Sequence, residues 1–158
     1  MKQQGKVYTV SQAVEKARSY CAYQERCHQE LRAKLYEWEL RTHEVEQVIA
    51  AMIEEGFLNE ERFAKAFAGG KFRVKHWGRN KIKAELKARK ISDYCIKASM
   101  AEIDEEVYER VMIKELEKKM KQLRDRNQLV KNMKVSRYLM ARGFEAEMVW
   151  EYLRKNYT

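Results

Sequence analysis

The chain has 158 residues, 45% of them hydrophobic and 36% charged, with a formal net charge of +9, no proline and six glycines. That apolar content argues against global disorder, and the near absence of helix breakers calls for long helices in one compact domain or a short array of small units. Three cysteines, odd in number and without a CxxC, argue against a disulfide framework; with no apolar run long enough for a membrane span or signal peptide, the chain reads as soluble and cytosolic, with no membrane contact.

Helical signals run along the whole chain. Ser11 caps a first helix reaching about Tyr23. Leu31 and Leu35 lie one turn apart on the next, and Leu40 follows across a tight connection. Thr42 caps a third helix carrying Val45 and Ile49, and Gly56 ends it with the left-handed conformation that glycine tolerates. Asn59, followed by Glu60 and Glu61, opens a fourth helix, with acids placed well against the helix dipole. Gly69 and Gly70 fall inside that helix, each costing about 1 kcal/mol relative to alanine; they mark either a close approach or kink, or a locally weak helix. A turn at Trp77–Gly78 leads to a helix carrying Ile82 and Leu86, and Ser92 caps the next, with Ile96 and Met100. Asp104, with Glu105 and Glu106, opens a longer helix striped by Met112, Leu116, Met120 and Leu123. Val135, Leu139, Phe144, Val149 and Leu153 close the series, with Gly143 ending the helix of Val135 and Leu139.

Three of these sets share one spacing. Leu31, Leu35, Leu40, Val45 and Ile49 recur as Ile82, Leu86, Ile91, Ile96 and Met100, and again as Val135, Leu139, Phe144, Val149 and Leu153. Such self-similarity is the signature of a repeat array. The expected architecture is all-α: three tandem three-helix repeats forming an elongated, curved helical array. The units span 10–57, 58–103 and 104–158, after an N-terminal tail at 1–9. Glu39 and Lys90 occupy the position of Gly143 in the first two units, so those turns either adopt another geometry or hold a non-glycine residue at a conformational cost.

Two stretches, GFLNEERFAKAF (56–67) and WGRNKIKAELKARKI (77–91), resemble the central signature of the RecX family, bacterial regulators of the RecA recombinase. YQERCHQELRAKL (23–35) is similar to the family's first repeat and VSRYLMARGF (135–144) to its third. The resemblance implies a tandem three-helix array that binds the RecA filament, inhibits its ATPase and strand-exchange activities, and acts without catalysis or cofactor. The expected partner is therefore the RecA recombinase filament, with single- or double-stranded DNA as a second contact and the chain itself a monomer.

Charge is unevenly distributed. Residues 25–62 are net acidic, whereas residues 71–90 carry nine Lys or Arg against Glu85 alone, and residues 114–142 are again strongly basic. A molecule with this polarity can lie along a filament and meet protein and phosphate at different points. The candidate contact residues are Lys71, Arg73, Lys75, Arg79, Lys81, Lys83, Lys87, Arg89, Lys131, Lys134, Arg137 and Arg142. Arg79, Lys83 and Lys87 follow at steps of four and form the expected contact stripe; replacing all three by alanine is expected to weaken filament binding and leave folding intact. Phe72 and Trp77 are read as packing between helices, with base stacking as the other role of aromatics among cations. Cys21, Cys27 and His28 lack the further ligands of a metal site and read as idle thiols and a lone histidine. His28, His43 and His76 have no nucleophile or carboxylate constellation, and no phosphate-binding GxxxxGK[ST] loop is present. The alternative to a filament regulator is a sequence-nonspecific DNA-binding module acting through the basic second and third units.

Overall fold

The computed structural model describes residues 8–158. The tail expected at 1–9 therefore lies largely outside the described residues; of its last two, Thr9 is already the cap of the first helix. Among the described residues there are nine helices and no strands: α1 (Val10–Tyr23), α2 (His28–Glu37), α3 (Thr42–Glu54), α4 (Glu60–Lys75), α5 (Arg79–Ala88), α6 (Asp93–Met100), α7 (Glu105–Gln122), α8 (Gln128–Ala141) and α9 (Ala146–Asn156). Helices pack chiefly within the trios α1–α3, α4–α6 and α7–α9, which is an all-α tandem repeat of three-helix units.

The repeated spacing becomes the core because it keeps one face of each second and third helix apolar. Every residue of the three sets is buried except Met100, which is partly buried against the same core. The turns joining second to third helices repeat as well. The amides of Leu40, Ile91 and Phe144 donate to the carbonyls of Leu35, Leu86 and Leu139, each closing a six-residue C-cap turn. Such a turn needs one left-handed residue. Gly143 supplies it at φ 98°, whereas Glu39 (62°) and Lys90 (60°) adopt it despite carrying a Cβ. The geometry is thus kept in all three units, with strain accepted in two.

Asn59, Ser92 and Asp104 cap α4, α6 and α7 as their side chains predict. Two caps differ from expectation. Thr9, not Ser11, caps α1, because Gln12 returns a bond to the Thr9 amide and completes a capping box. Arg41, not Thr42, precedes α3, and the Glu44 carboxylate accepts from the Arg41 amide at 3.0 Å. α4 runs unbroken through Gly69 and Gly70. α7 is the longest helix at 18 residues, and its buried stripe begins one turn earlier than expected, at Tyr108, while Leu123 falls just past its end.

The buried side chains form two cores. One belongs to α1–α3; the other is continuous through α4–α9 and includes Cys27. The joint between the second and third units is consequently apolar at its centre, where the Phe72, Tyr108 and Phe144 rings stack in series at 5.7 and 5.4 Å between centroids. The joint between the first and second units adds ion pairs: Arg62 with Glu25, and Arg89 with Glu30.

Candidate functional site

The basic second and third units sort into two groups once the side chains are placed. The first group holds the molecule together. Arg79 opens α5, and its side chain is only 18% exposed. Its guanidinium stacks on the Tyr108 ring at 3.9 Å, and it donates to Glu145 at 3.1 Å and to Glu105 at 2.7 Å. Its backbone amide donates to the Tyr108 hydroxyl, which in turn donates to Glu145. Burial and the Glu145 carboxylate hold the Tyr108 hydroxyl well above its ordinary pKa, so it remains a donor. Arg79 heads the contact stripe expected with Lys83 and Lys87, yet one face of its guanidinium, two of its nitrogens and its amide are engaged by the third unit, through partners distant in sequence.

Arg142 is also engaged between units. It donates to the Lys75 carbonyl at 2.7 Å, capping the C-terminal end of α4 from the end of α8. Arg89 bonds Glu85 at 2.9 Å, lies near Glu30 and covers the Phe67 ring at 4.7 Å. Lys134 pairs with Asp125 at 2.7 Å. Lys71 and Lys81 stand over Trp77 at 5.1 and 4.5 Å. Phe72 is core, and Trp77 is partly buried against that core, so both aromatics pack as expected; Trp77 also carries the two lysines on its faces.

The second group faces solvent. Arg73, Lys75, Lys83, Lys87 and Arg137 are exposed and Lys131 half-exposed, and among the described residues none of them forms an ion pair. Lys83 borders a shallow hollow with Lys97, an exposed cation that the charge pattern alone did not single out. This set, without an ion pair among the described residues, can meet an acidic protein surface or phosphate.

The histidine reading also changes. His76 ends α4 in the left-handed conformation (φ 55°), and its Nδ1 lies 2.8 Å from Oε1 of Glu115, a buried carboxylate of α7. One carboxylate thus faces one imidazole across the joint, with no nucleophile in the pair. His28 is half-buried and its pKa is lowered, chiefly by desolvation. Cys21, Cys27 and Cys95 are free and buried, and burial pushes the Cys21 and Cys27 thiols up.

Comparison with known proteins gives the same organisation. A family model described as RecX, second three-helix domain, matches residues 59–100, and one described as RecX, third three-helix domain, matches residues 105–153. The chain belongs to the RecX family. It is 25% identical over 140 residues to proteins named regulatory protein RecX from Bacillus cereus strains B4264 and G9842, covering 89% of this chain and 52% of each relative. The chain therefore spans about half the length of the curated relatives it matches. Its fold is similar to the crystal structure of RecX from Lactobacillus salivarius, with a TM-score of 0.82 at 18% identity, covering 92% of this chain and 95% of that one. A second structure, of regulatory protein RecX, gives 0.80 at 20% identity over 93% and 74% of the two chains. The family's curated members are named as regulatory proteins, and no helix among the described residues is long and apolar enough to cross a membrane.

Proposed function

We propose that this chain is a non-enzymatic regulator that binds the RecA recombinase filament on DNA and restrains its ATPase and strand-exchange activities, requiring no cofactor. The observation that carries the reading is the unpaired cationic group of the second and third units, Arg73, Lys75, Lys83, Lys87, Lys131 and Arg137, standing beside an acidic first unit. Cations without internal partners contribute to association through long-range attraction to an acidic surface or phosphate, whereas Arg79, Arg142 and Arg89 contribute to holding the array rigid. The boundaries 10–57, 58–103 and 104–158 divide these roles: an acidic unit joined through ion pairs to a basic pair that shares one core.

The test is fluorescence anisotropy of the chain on RecA filaments assembled on single-stranded DNA. The variant Lys83→Ala/Lys87→Ala/Arg137→Ala is expected to bind about tenfold or more weakly, with a shallower salt dependence. Unchanged affinity contradicts the assignment of the cationic group. Equal affinity for naked DNA and for filament supports the simple DNA-binding module instead.

A further inference from the structure

The two joints of the array are built differently. The second and third units share one core, and backbone hydrogen bonds tie the start of α5 to the end of α8. Cys27 is the one buried side chain preceding α4 that enters that core; the rest of the first unit keeps a core of its own. Among the described residues, no backbone hydrogen bond passes directly from α1–α3 to α4–α6. The chain crosses in a single step: Leu58 is buried in the first core, and Asn59, exposed and extended, already caps α4.

Side chains close this first joint. Arg62, on the first turn of α4, donates through Nε to Glu25 and through Nη2 to the carbonyls of Gly56 and Phe57 at 2.9 and 3.3 Å. Arg89, just past α5, lies 3.8 Å from Glu30. All four charged side chains are partly exposed, so salt screens both pairs. Glu25 and Glu30 each also keep one buried oxygen, Oε2, without a hydrogen-bond donor, a cost that water removes when the joint parts. Two open hollows, of about 450 and 280 Å³, lie between the first unit and α4–α5, so the facing surfaces are incompletely packed.

We propose that this joint is an electrostatic latch. The first unit swings as one body about Leu58–Asn59, with Cys27 as the pivot, and the pairs Arg62–Glu25 and Arg89–Glu30 hold it closed. Opening frees Arg62 and Arg89 as additional cations of the second unit, so an anionic surface that captures them favours the open form. The second and third units move together. The swing belongs to the free chain and does not depend on the regulatory reading above.

Double electron–electron resonance between spin labels on unnatural residues tests it, with labels at the exposed positions Ser19, Ala101 and Glu147, one in each unit. Raising salt from about 0.1 M to about 1 M shortens the screening length from roughly 10 to roughly 3 Å. The Ser19–Ala101 distances are expected to shift and broaden over that range, and in Arg62→Gln/Arg89→Gln to do so already at the lower salt. The Ala101–Glu147 distances are expected to stay fixed. Ser19–Ala101 distances unmoved by both salt and the variant overturn the proposal. So does equal broadening of Ala101–Glu147, or broadening accompanied by loss of helix in circular dichroism. The salt titration of the parent chain decides the matter if the variant fails to fold.

Discussion

Gly78 and Gly143 meet back to back where the second and third units join. The Gly78 amide donates to the Arg142 carbonyl at 2.8 Å and the Asn80 amide to the Gly143 carbonyl at 2.9 Å. A Cβ on Gly78 would sit 2.2 Å from the Gly143 carbonyl carbon, so the first turn of α5 rests directly on the end of α8. The contact aligns the Arg79 amide with Tyr108 and makes the two basic units one body.

Gly78→Ala is accordingly expected to be among the most destabilising small substitutions, costing roughly 3 kcal/mol because backbone must move against backbone. Gly143→Ala adds left-handed strain to a contact of 2.4 Å with the Lys81 Cβ and is expected to cost at least as much. Gly56→Ala has the same sign of φ and open space around it, so only the strain remains, about 1 kcal/mol. Urea denaturation curves of the three variants check the order.

Arg79 and its helical neighbours separate stability from binding. Arg79→Ala is expected to lose roughly 2–3 kcal/mol, because Glu145 and the Tyr108 ring lose a charged partner in a largely buried setting. Lys83→Ala/Lys87→Ala is expected to stay within about 0.5 kcal/mol of the parent, both side chains being exposed and unpaired. Thermal melts against filament affinity distinguish the two effects.

The left-handed turns offer a gain. Glu39→Gly and Lys90→Gly remove strain at φ 62° and 60° and are each expected to stabilise by about 1 kcal/mol. His76→Gly has a similar φ, yet it abandons the buried Glu115 carboxylate and is expected to destabilise. Opposite shifts in denaturation midpoint confirm the distinction.

Alkaline pH loosens the third unit. Glu117 accepts from the hydroxyls of both Tyr152 and Tyr157, and these bonds push each phenol up to about 12. Because the folded values exceed the unfolded value near 10, the stabilisation is complete below pH 10 and is lost as pH rises toward 12. Tyr152→Phe/Tyr157→Phe is expected to be less stable at neutral pH and to show a flatter decline between those limits, measured by denaturation at several pH values.

The repeat was legible because helical spacing alone fixes which residues share a face: Leu31, Ile82 and Val135 are all fully buried, as their common register requires. Tyr108 is legible too, since it lies one turn before Met112 in the same register. Arg79 was not. Its partner Glu145 lies 66 residues away, and on sequence it is one more base in a run of bases. Glu115 likewise reads as a solvated helix acid, whereas it is buried and meets His76 across the joint, a partner 39 residues away. The caps at Thr9 and Arg41 missed by one or two residues because neighbouring side chains, Gln12 and Glu44, decided between adjacent starts.

The most direct measurement is DNA-dependent ATP hydrolysis by the RecA recombinase, titrated with this chain at two DNA concentrations. Inhibition at well below one chain per recombinase subunit, unchanged by added DNA, is the result expected of a filament regulator. Inhibition relieved by added DNA, or no inhibition, contradicts it.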